Sequence, residues 1–421
     1  MNAATRAALP VGTTIDGIGV TGQLDGAVAL DRGGAPCGPA LIWMDRRASV
    51  PSLPADFFGR TGQVADAGHL GPKAAWLAAR TPMARVHVPV SYLVERLTGV
   101  AVLDPSHAST TMACRLGASS WDPELLACFG LQAAQLPTIA PAHARAGGLT
   151  IDGAALLGLP VGTPVAVGTG DDFATPLGAG LVTPGDAFAV LGTAEVVGVL
   201  ADRPLLDETR LVETHPYPAG GYLLENPGWL SGGALRWLGE LLQLDDAALD
   251  AAAARARPGA DGLSFVPALT GAMSPAWHPG ARGAFYGLTP GHGAGELARA
   301  VHEALGFAAR DVVDRIAALG VAVPVITLLG GGARSDLAPT LRAAIARRSH
   351  QVPARIDTAA VGAAMLAGVA VGAWPDLRAA ATIGRTPAIC TAPAPTAALD
   401  AAYRRYRRLV AALTPLYDDG G

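Results

Sequence analysis

The sequence predicts an α/β protein of two domains, and three observations carry that expectation. Short β-branched runs alternate with helical periodicity along the chain, the pattern of sheets covered by helices. The 421 residues include 53 glycines and 33 prolines, so turns are plentiful and long helices few. At about 150 residues per domain, that length corresponds to two or three domains.

Taken in order, residues 2–9 read as the tail of an Ala-rich helix and residues 15–20 as a strand. A strand at 164–167 runs into the turn Gly168-Thr169-Gly170, followed by Asp171 and Asp172. A break at 181–185 marks a domain boundary, and the next strand, 186–191, ends in Leu191-Gly192-Thr193. Residues 296–319 place Leu297, Val301, Ala304, Ala308, Val312, Ile316 and Leu319 at helical spacing, closed by Gly320. A strand at 324–329 leads into three glycines at 330–332 and a helix from Ser335. The uncharged stretch 358–374 falls short of the ~18 apolar residues a membrane span needs, and reads as a buried helix. Pro393-Ala394-Pro395 links to a last helix, where Arg404, Arg405, Arg407 and Arg408 form a solvated face beside Tyr403, Leu409 and Val410.

Composition narrows the function classes. A net charge of −4 argues against binding nucleic acid by phosphate neutralisation. Cys37, Cys114, Cys128 and Cys390 show neither paired spacing nor histidine partners, which excludes a disulfide scaffold and a structural zinc. The first residues lack the basic start and apolar core of a signal peptide. A reduced, soluble, cytoplasmic protein without a membrane partner is expected.

Three stretches could carry chemistry. A strand ending in Gly-Thr-Gly-Asp-Asp exposes backbone N–H groups, and one of Asp171 and Asp172 could act as a base toward a hydroxyl. On these residues alone, capping of a helix starting at Phe173 is the favoured reading. The glycines of Leu328-Leu329-Gly330-Gly331-Gly332-Ala333 let a nucleotide approach a helix N-terminus, but serve a tight strand–helix turn equally well. Gln23 and Asp25, just past a strand, offer partners for a polyhydroxylated ligand. Asp45 and Arg47 read as a loop-shaping ion pair, and His107 as a loop histidine rather than a metal ligand.

Taken together, the motifs at 19–26, 43–47, 71–76, 103–111, 168–172, 191–193, 265–275, 281–288, 299–305 and 328–335 resemble the FGGY carbohydrate kinases, most closely their xylulokinase branch. The resemblance implies an actin-like ATPase fold, two RNase H-like domains around a cleft. Residues 1–180 would bind sugar and 181–421 would bind ATP, with Mg²⁺ as the accompanying ion and a homodimer left open. It implies Asp171 as the base, and Leu24, Asp25 and Asp172 at the sugar. Gly192 and Thr193 would face phosphate, and Gly271, Gly332, Ala333 and Asp336 would lie along the nucleotide. The implied reaction is phosphorylation of a pentulose such as D-xylulose, giving xylulose 5-phosphate.

Two departures qualify that picture. Xylulokinases tend to carry Met-His where this chain has Leu24-Asp25, and Asn in place of Asp172. Relatives in the glycerol and erythritol kinase branch carry an acidic residue at the Asp25 position, which opens a polyol substrate. Family members also begin with a strand and a D-x-G-T/S phosphate turn, and this chain starts beyond it. That implies an incomplete first domain and half a phosphate clamp. Slow turnover, or a non-catalytic remnant that binds sugar or nucleotide, is the expected consequence.

Overall fold

Seven strands build the sheet of the C-terminal domain: β1 (Ala187–Leu191), β2 (Ala194–Ala201), β3 (Glu213–Pro216), β4 (Tyr222–Leu230), β5 (Val325–Leu329), β6 (Ser349–Pro353) and β7 (Ala388–Thr391). The computed structural model, which describes residues 2–9 and 12–418, orders them β3-β4-β2-β1-β5-β6-β7. The β1–β5 and β5–β6 pairs are parallel, and the remaining pairs antiparallel. Alternation along each strand explains why the sheet is apolar on both faces. Ala187, Ala189 and Leu191 of β1, with Val197 and Val199 of β2, pack under helix Ala294–Ala318. Phe188, Val196, Leu200, Leu223 and Leu329 point the other way, into a cluster shared with Leu24, Ala166, Phe173 and Leu177 of the N-terminal domain.

The N-terminal domain is held by short strand pairs. Pro164–Ala166 pairs antiparallel with Arg145–Gly148, and Thr21–Gly22 pairs parallel with Thr169–Gly170. The expected strand at 15–20 is reduced to one bridge, Ile18 with Val165. Its Gly17 and Gly19 lie against helix Ala359–Ala370 instead; a Cβ on Gly19 would stand 1.9 Å from the Ala363 carbonyl oxygen. The segment is extended, but a helix rather than a strand closes its flank.

That helix is the buried one expected from the uncharged stretch, and no helix among the described residues is long and apolar enough to cross a membrane. It crosses helix Asp171–Gly178 at glycine contact: a Cβ on Gly362 would lie 2.1 Å from the Ala174 oxygen. Thr358 Oγ1 donates to the Thr175 carbonyl at 2.7 Å, fixing the two helices further. The helix at Ala294–Ala318 and the strands at β1 and β5 fall where the periodicity puts them.

Two expectations are corrected. The glycine triplet does not open a helix at Ser335; it forms a single 3₁₀ turn, Gly331–Arg334, and the helix is Ala338–Ala346. Ser335 Oγ accepts from the N–H of Leu337 and Ala338 and so stands before the first turn. The arginine cluster is only half solvated. Arg405 donates to Ser264 Oγ at 2.8 Å, and Arg407 pairs with Asp311, so these two clamp helix Ala397–Asp418 to the domain.

Candidate active site

The parallel pair of Thr21–Gly22 and Thr169–Gly170 ends at one edge, so the residues that follow both strands emerge together. These are Leu24 and Asp25 on one side, Asp171 and Asp172 on the other. Gly170 allows the approach, since a Cβ there would stand 2.0 Å from Leu24 Cδ2. The helix begins at Asp171 itself, with Gly170 as its N-cap and no side-chain cap. The capping alternative for the two aspartates therefore does not hold. Both sit in the first turn, where the helix dipole favours carboxylates.

Burial raises the Asp171 carboxyl, and the Asp25 charge adds to the rise, against the backbone N–H groups of Asp171, Leu24 and Asp172. Asp172 is raised well above the carboxylate range by burial, then by Asp171 and Asp25.

Asp25 occupies the left-handed region at φ 55°, a conformation held by neighbours rather than by its own preference. The fully buried Lys73 supplies the clamp: its Nζ donates to the carbonyls of Asp25 at 2.7 Å and Ile42 at 2.8 Å. Burial takes this lysine down to about 8. Gln23 Oε1 accepts from the Trp43 N–H at 3.1 Å, so the loops at 19–26 and 43–47 are tied together, and the Asp45–Arg47 pair forms at 2.9 Å. Burial works against the Asp25 carboxylate, yet His69, then Lys73 and His107, hold it below its usual range.

His107 is not a loop residue. It lies in the short helix Pro105–Ser109, 0% exposed, with both ring nitrogens lacking a partner. Burial pushes it down to about 4 against the pull of Asp25, so the ring is neutral at pH 7. Asp104 caps that helix and accepts from Thr169 Oγ1 at 3.0 Å, joining it to the strand that delivers Asp171.

Four further buried groups, absent from the motif reading, stand around these carboxylates. His69 Nδ1 meets Asp25 Oδ2 at 3.1 Å, and Glu213, His215 and Glu225 come from β3 and β4. Glu213 and Glu225 are register partners, and Glu213 and His215 share a face by strand alternation. A Glu-x-His on a strand is the signal that could have found them. Burial raises Glu225 well above its usual value, with Asp172, Glu213, Asp25 and Asp171 adding like charge.

On the other side, Gly192 and Thr193 form the turn between β1 and β2. The N–H groups of Ser231 and Gly233 donate to the Thr193 carbonyl at 3.0 Å, and that of Gly232 donates to Gly192 at 3.0 Å. Behind the turn, buried Glu195 accepts from Ser231 Oγ at 2.9 Å and pairs with Arg342. Gly332 packs onto Leu191, 2.8 Å from a Cβ it does not carry, so the glycine triplet and the Gly192 turn are adjacent. Ala333 is buried in the core, its N–H donating to the Gly330 carbonyl at 3.1 Å, and Asp336 is exposed beyond the turn.

Gly271 lies apart from the glycine triplet and lines a cavity of about 300 Å³ between the domains, with Trp43, Arg46 and Asp66 facing Ala194 and Trp229. Asp171 is a hard oxygen donor of the kind Mg²⁺ prefers, an ion that is bound through one or two carboxylates together with substrate phosphates. No group of three or more metal-ligating side chains stands together among the described residues, so Mg²⁺ fits here only as an ion carried by the nucleotide.

Profiles of the FGGY family of carbohydrate kinases match residues 7–178 as its N-terminal domain and 187–371 as its C-terminal domain. This chain belongs to that family. A glycerol kinase from Gloeobacter violaceus is 35% identical over 382 residues, 86% of this chain and 76% of its own length. A xylulose kinase structure from Rhodospirillum rubrum, 29% identical, covers 99% of this chain and 88% of its own at a TM-score of 0.87. A ligand-bound xylulose kinase from Lactobacillus acidophilus reaches a TM-score of 0.89 over 100% of this chain and 88% of its own; at 23% identity it supports the fold alone. The fold is thus the two-domain sugar-kinase architecture of actin-like ATPase type, and the activity is ATP-dependent phosphorylation of a sugar or polyol.

Proposed function

We propose that this chain transfers the γ-phosphoryl group of ATP to a hydroxyl of a small neutral polyol, glycerol or a four-carbon homologue. The observation that carries the reading is Asp25, whose Oδ1 is buried and has no partner while Oδ2 faces His69. A desolvated carboxylate oxygen without a donor is a place for an acceptor hydroxyl. The sequence relatives named glycerol kinase support the same choice.

Asp171 takes the proton from the attacking hydroxyl as its oxygen forms the bond to the γ-phosphorus. The bond from that phosphorus to the bridging oxygen breaks, and ADP leaves with the electron pair. Leu24 and Asp172 complete the acceptor side; Gly192, Thr193, Gly271, Gly332, Ala333 and Asp336 line the nucleotide side. Mg²⁺ on ATP supplies neutralising charge to the phosphates. A second reading, D-xylulose as acceptor, is supported by the likeness to the xylulose kinase from Rhodospirillum rubrum.

Asp25, held ionised by His69, and Asp171, ionised when it acts as the base, make an anionic acceptor unfavourable. One like charge at ~4 Å costs about 4 kcal/mol at an effective dielectric of ~20. Coupled assays with glycerol, erythritol, D-xylulose and gluconate decide among these. The polyols are expected to give the highest kcat/KM and gluconate at least a hundredfold less. A clear preference for D-xylulose would replace the polyol reading. Nucleotide binding without turnover on any acceptor would favour the non-catalytic alternative.

A further inference from the structure

One side chain on the acceptor side has partners in both domains. His69 stands immediately before helix Leu70–Ala78, 5% exposed. Its Nδ1 lies 3.1 Å from Asp25 Oδ2, and its Nε2 lies 3.9 Å from Glu213 Oε1 on the edge strand of the C-terminal sheet. Glu213 is fixed in turn, accepting from the Val64 N–H at 2.6 Å and facing His215 Nε2 at 3.4 Å. Gln63, which accepts from the Met112 N–H at 2.9 Å and donates to the Thr110 carbonyl, packs its Nε2 3.0 Å from His69 Nδ1. The imidazole thus has a carboxylate near each ring nitrogen, while the Gln63 amide, itself a donor, packs against the ring without bonding a protonated Nδ1.

Lys73 fixes the backbone of Asp25 through carbonyl oxygens and leaves its carboxylate free to rotate. His69 is the neighbour that sets that rotation. With Oδ2 engaged, Oδ1 is the oxygen left without a partner.

We propose that His69 is a positioning residue for the acceptor: it holds one oxygen of Asp25 so that the other meets an acceptor hydroxyl, and ties that carboxylate to Glu213 across the domain junction. The inference rests on Asp25 as an acceptor ligand and deepens that reading, because acceptor affinity then depends on a side chain that does not touch the acceptor. The titratable groups around the ring are Asp25, Glu213 and Asp66, with Lys73 and the neutral His107 behind Asp25, and Asp171, Asp172 and Glu225 beyond it. Burial opposes the charged ring, but Asp25, Glu213 and Asp66 raise it to about 9, so it is a cation at pH 7.

Steady-state kinetics of the whole protein with glycerol, and with D-xylulose in parallel, test the assignment through a double-mutant cycle. His69→Phe is expected to raise the acceptor KM about tenfold, with kcat and the KM for ATP within about threefold. Asp25→Asn is expected to raise the acceptor KM at least as much. The double variant should be no worse than Asp25→Asn alone, because His69 acts through Asp25. Effects that multiply in the double variant overturn the inference. So does an unchanged acceptor KM in His69→Phe when Asp25→Asn is impaired, and Asp25 then keeps its role. An unchanged KM in Asp25→Asn removes the acceptor reading and this inference together. His69→Gln, whose amide can still donate to Asp25, is expected to recover part of the affinity and to show the same non-additivity. It carries the test if the Phe variant melts below assay temperature, and multiplying effects there are equally fatal.

Discussion

Asp171 combines a backbone position at the mouth of a strand pair with a carboxyl raised by burial and by Asp25. A higher proton affinity suits a base facing an alcohol, provided the group is ionised at the working pH. Asp171→Asn keeps the shape and removes that basicity. It is expected to lower kcat at least a hundredfold while leaving the ATP Kd, read by calorimetry, within about twofold. Because the ionised form is the active one, kcat/KM should fall as pH drops, with a midpoint above the ~3.9 of an ordinary aspartate. A limb at or below that value would separate Asp171 from the proton transfer. The places of Asp171 and Asp25 beside glycine-bounded turns are legible in the sequence, but their roles come from the family resemblance, since local residues favour a helix cap at 171. His69 and Glu225 are not legible, because their chemistry arises from neighbours far away in the chain.

At the scale of elements, the approach of helix Ala359–Ala370 to helix Asp171–Gly178 sets the direction in which Asp171 leaves its strand. Glycines make the crossing possible: a Cβ on Gly178 would lie 1.9 Å from the Thr358 oxygen, and one on Gly362 2.1 Å from that of Ala174. Both obstacles are backbone atoms, so neither can turn aside. Gly362→Val is expected to destabilise the fold by about 2–3 kcal/mol, read by urea unfolding, and to lower activity below the melting temperature. Gly331→Ala, with nothing within 4 Å of its Cβ, is the control and should leave stability unchanged. A Gly362→Val protein as stable as the parent would show that the helices can separate freely. The uncharged stretch 358–374 reads as a buried helix from composition alone, but its partner does not, because Ala and Gly carry no pairing code.

Across the whole molecule, the domains meet through a shared apolar cluster and a polar seam. The Thr214 N–H donates to the Gly62 carbonyl at 3.0 Å, and Ser109 Oγ lies 2.8 Å from His215 Nδ1. His69 adds a pH dependence whose sign follows from its raised value of about 9. Its contribution to stability is fully present below the unfolded histidine value of ~6.5 and lost as pH rises through about 9. The difference in Tm between the parent protein and His69→Phe should therefore shrink by several degrees between pH 6 and pH 9.5. A difference constant across that range would mean that the ring is uncharged in the folded protein.

By itself the sequence determined the α/β class, the strand ends that carry Asp25 and Asp171, the glycine turns at 192 and 330–332, and the family. Local pattern suffices for these, because strand alternation, helical spacing and glycine turns are properties of neighbouring residues. Only the tertiary structure decided that 15–20 is clamped by a helix, that Arg405 and Arg407 are anchors, and that His107 is buried near Asp25. It also decided that Glu213, His215 and Glu225 of one domain stand beside His69 and Asp25 of the other. Charge and burial act through space, and their strength at a given carboxylate depends on which distant segments the fold brings within a few ångströms.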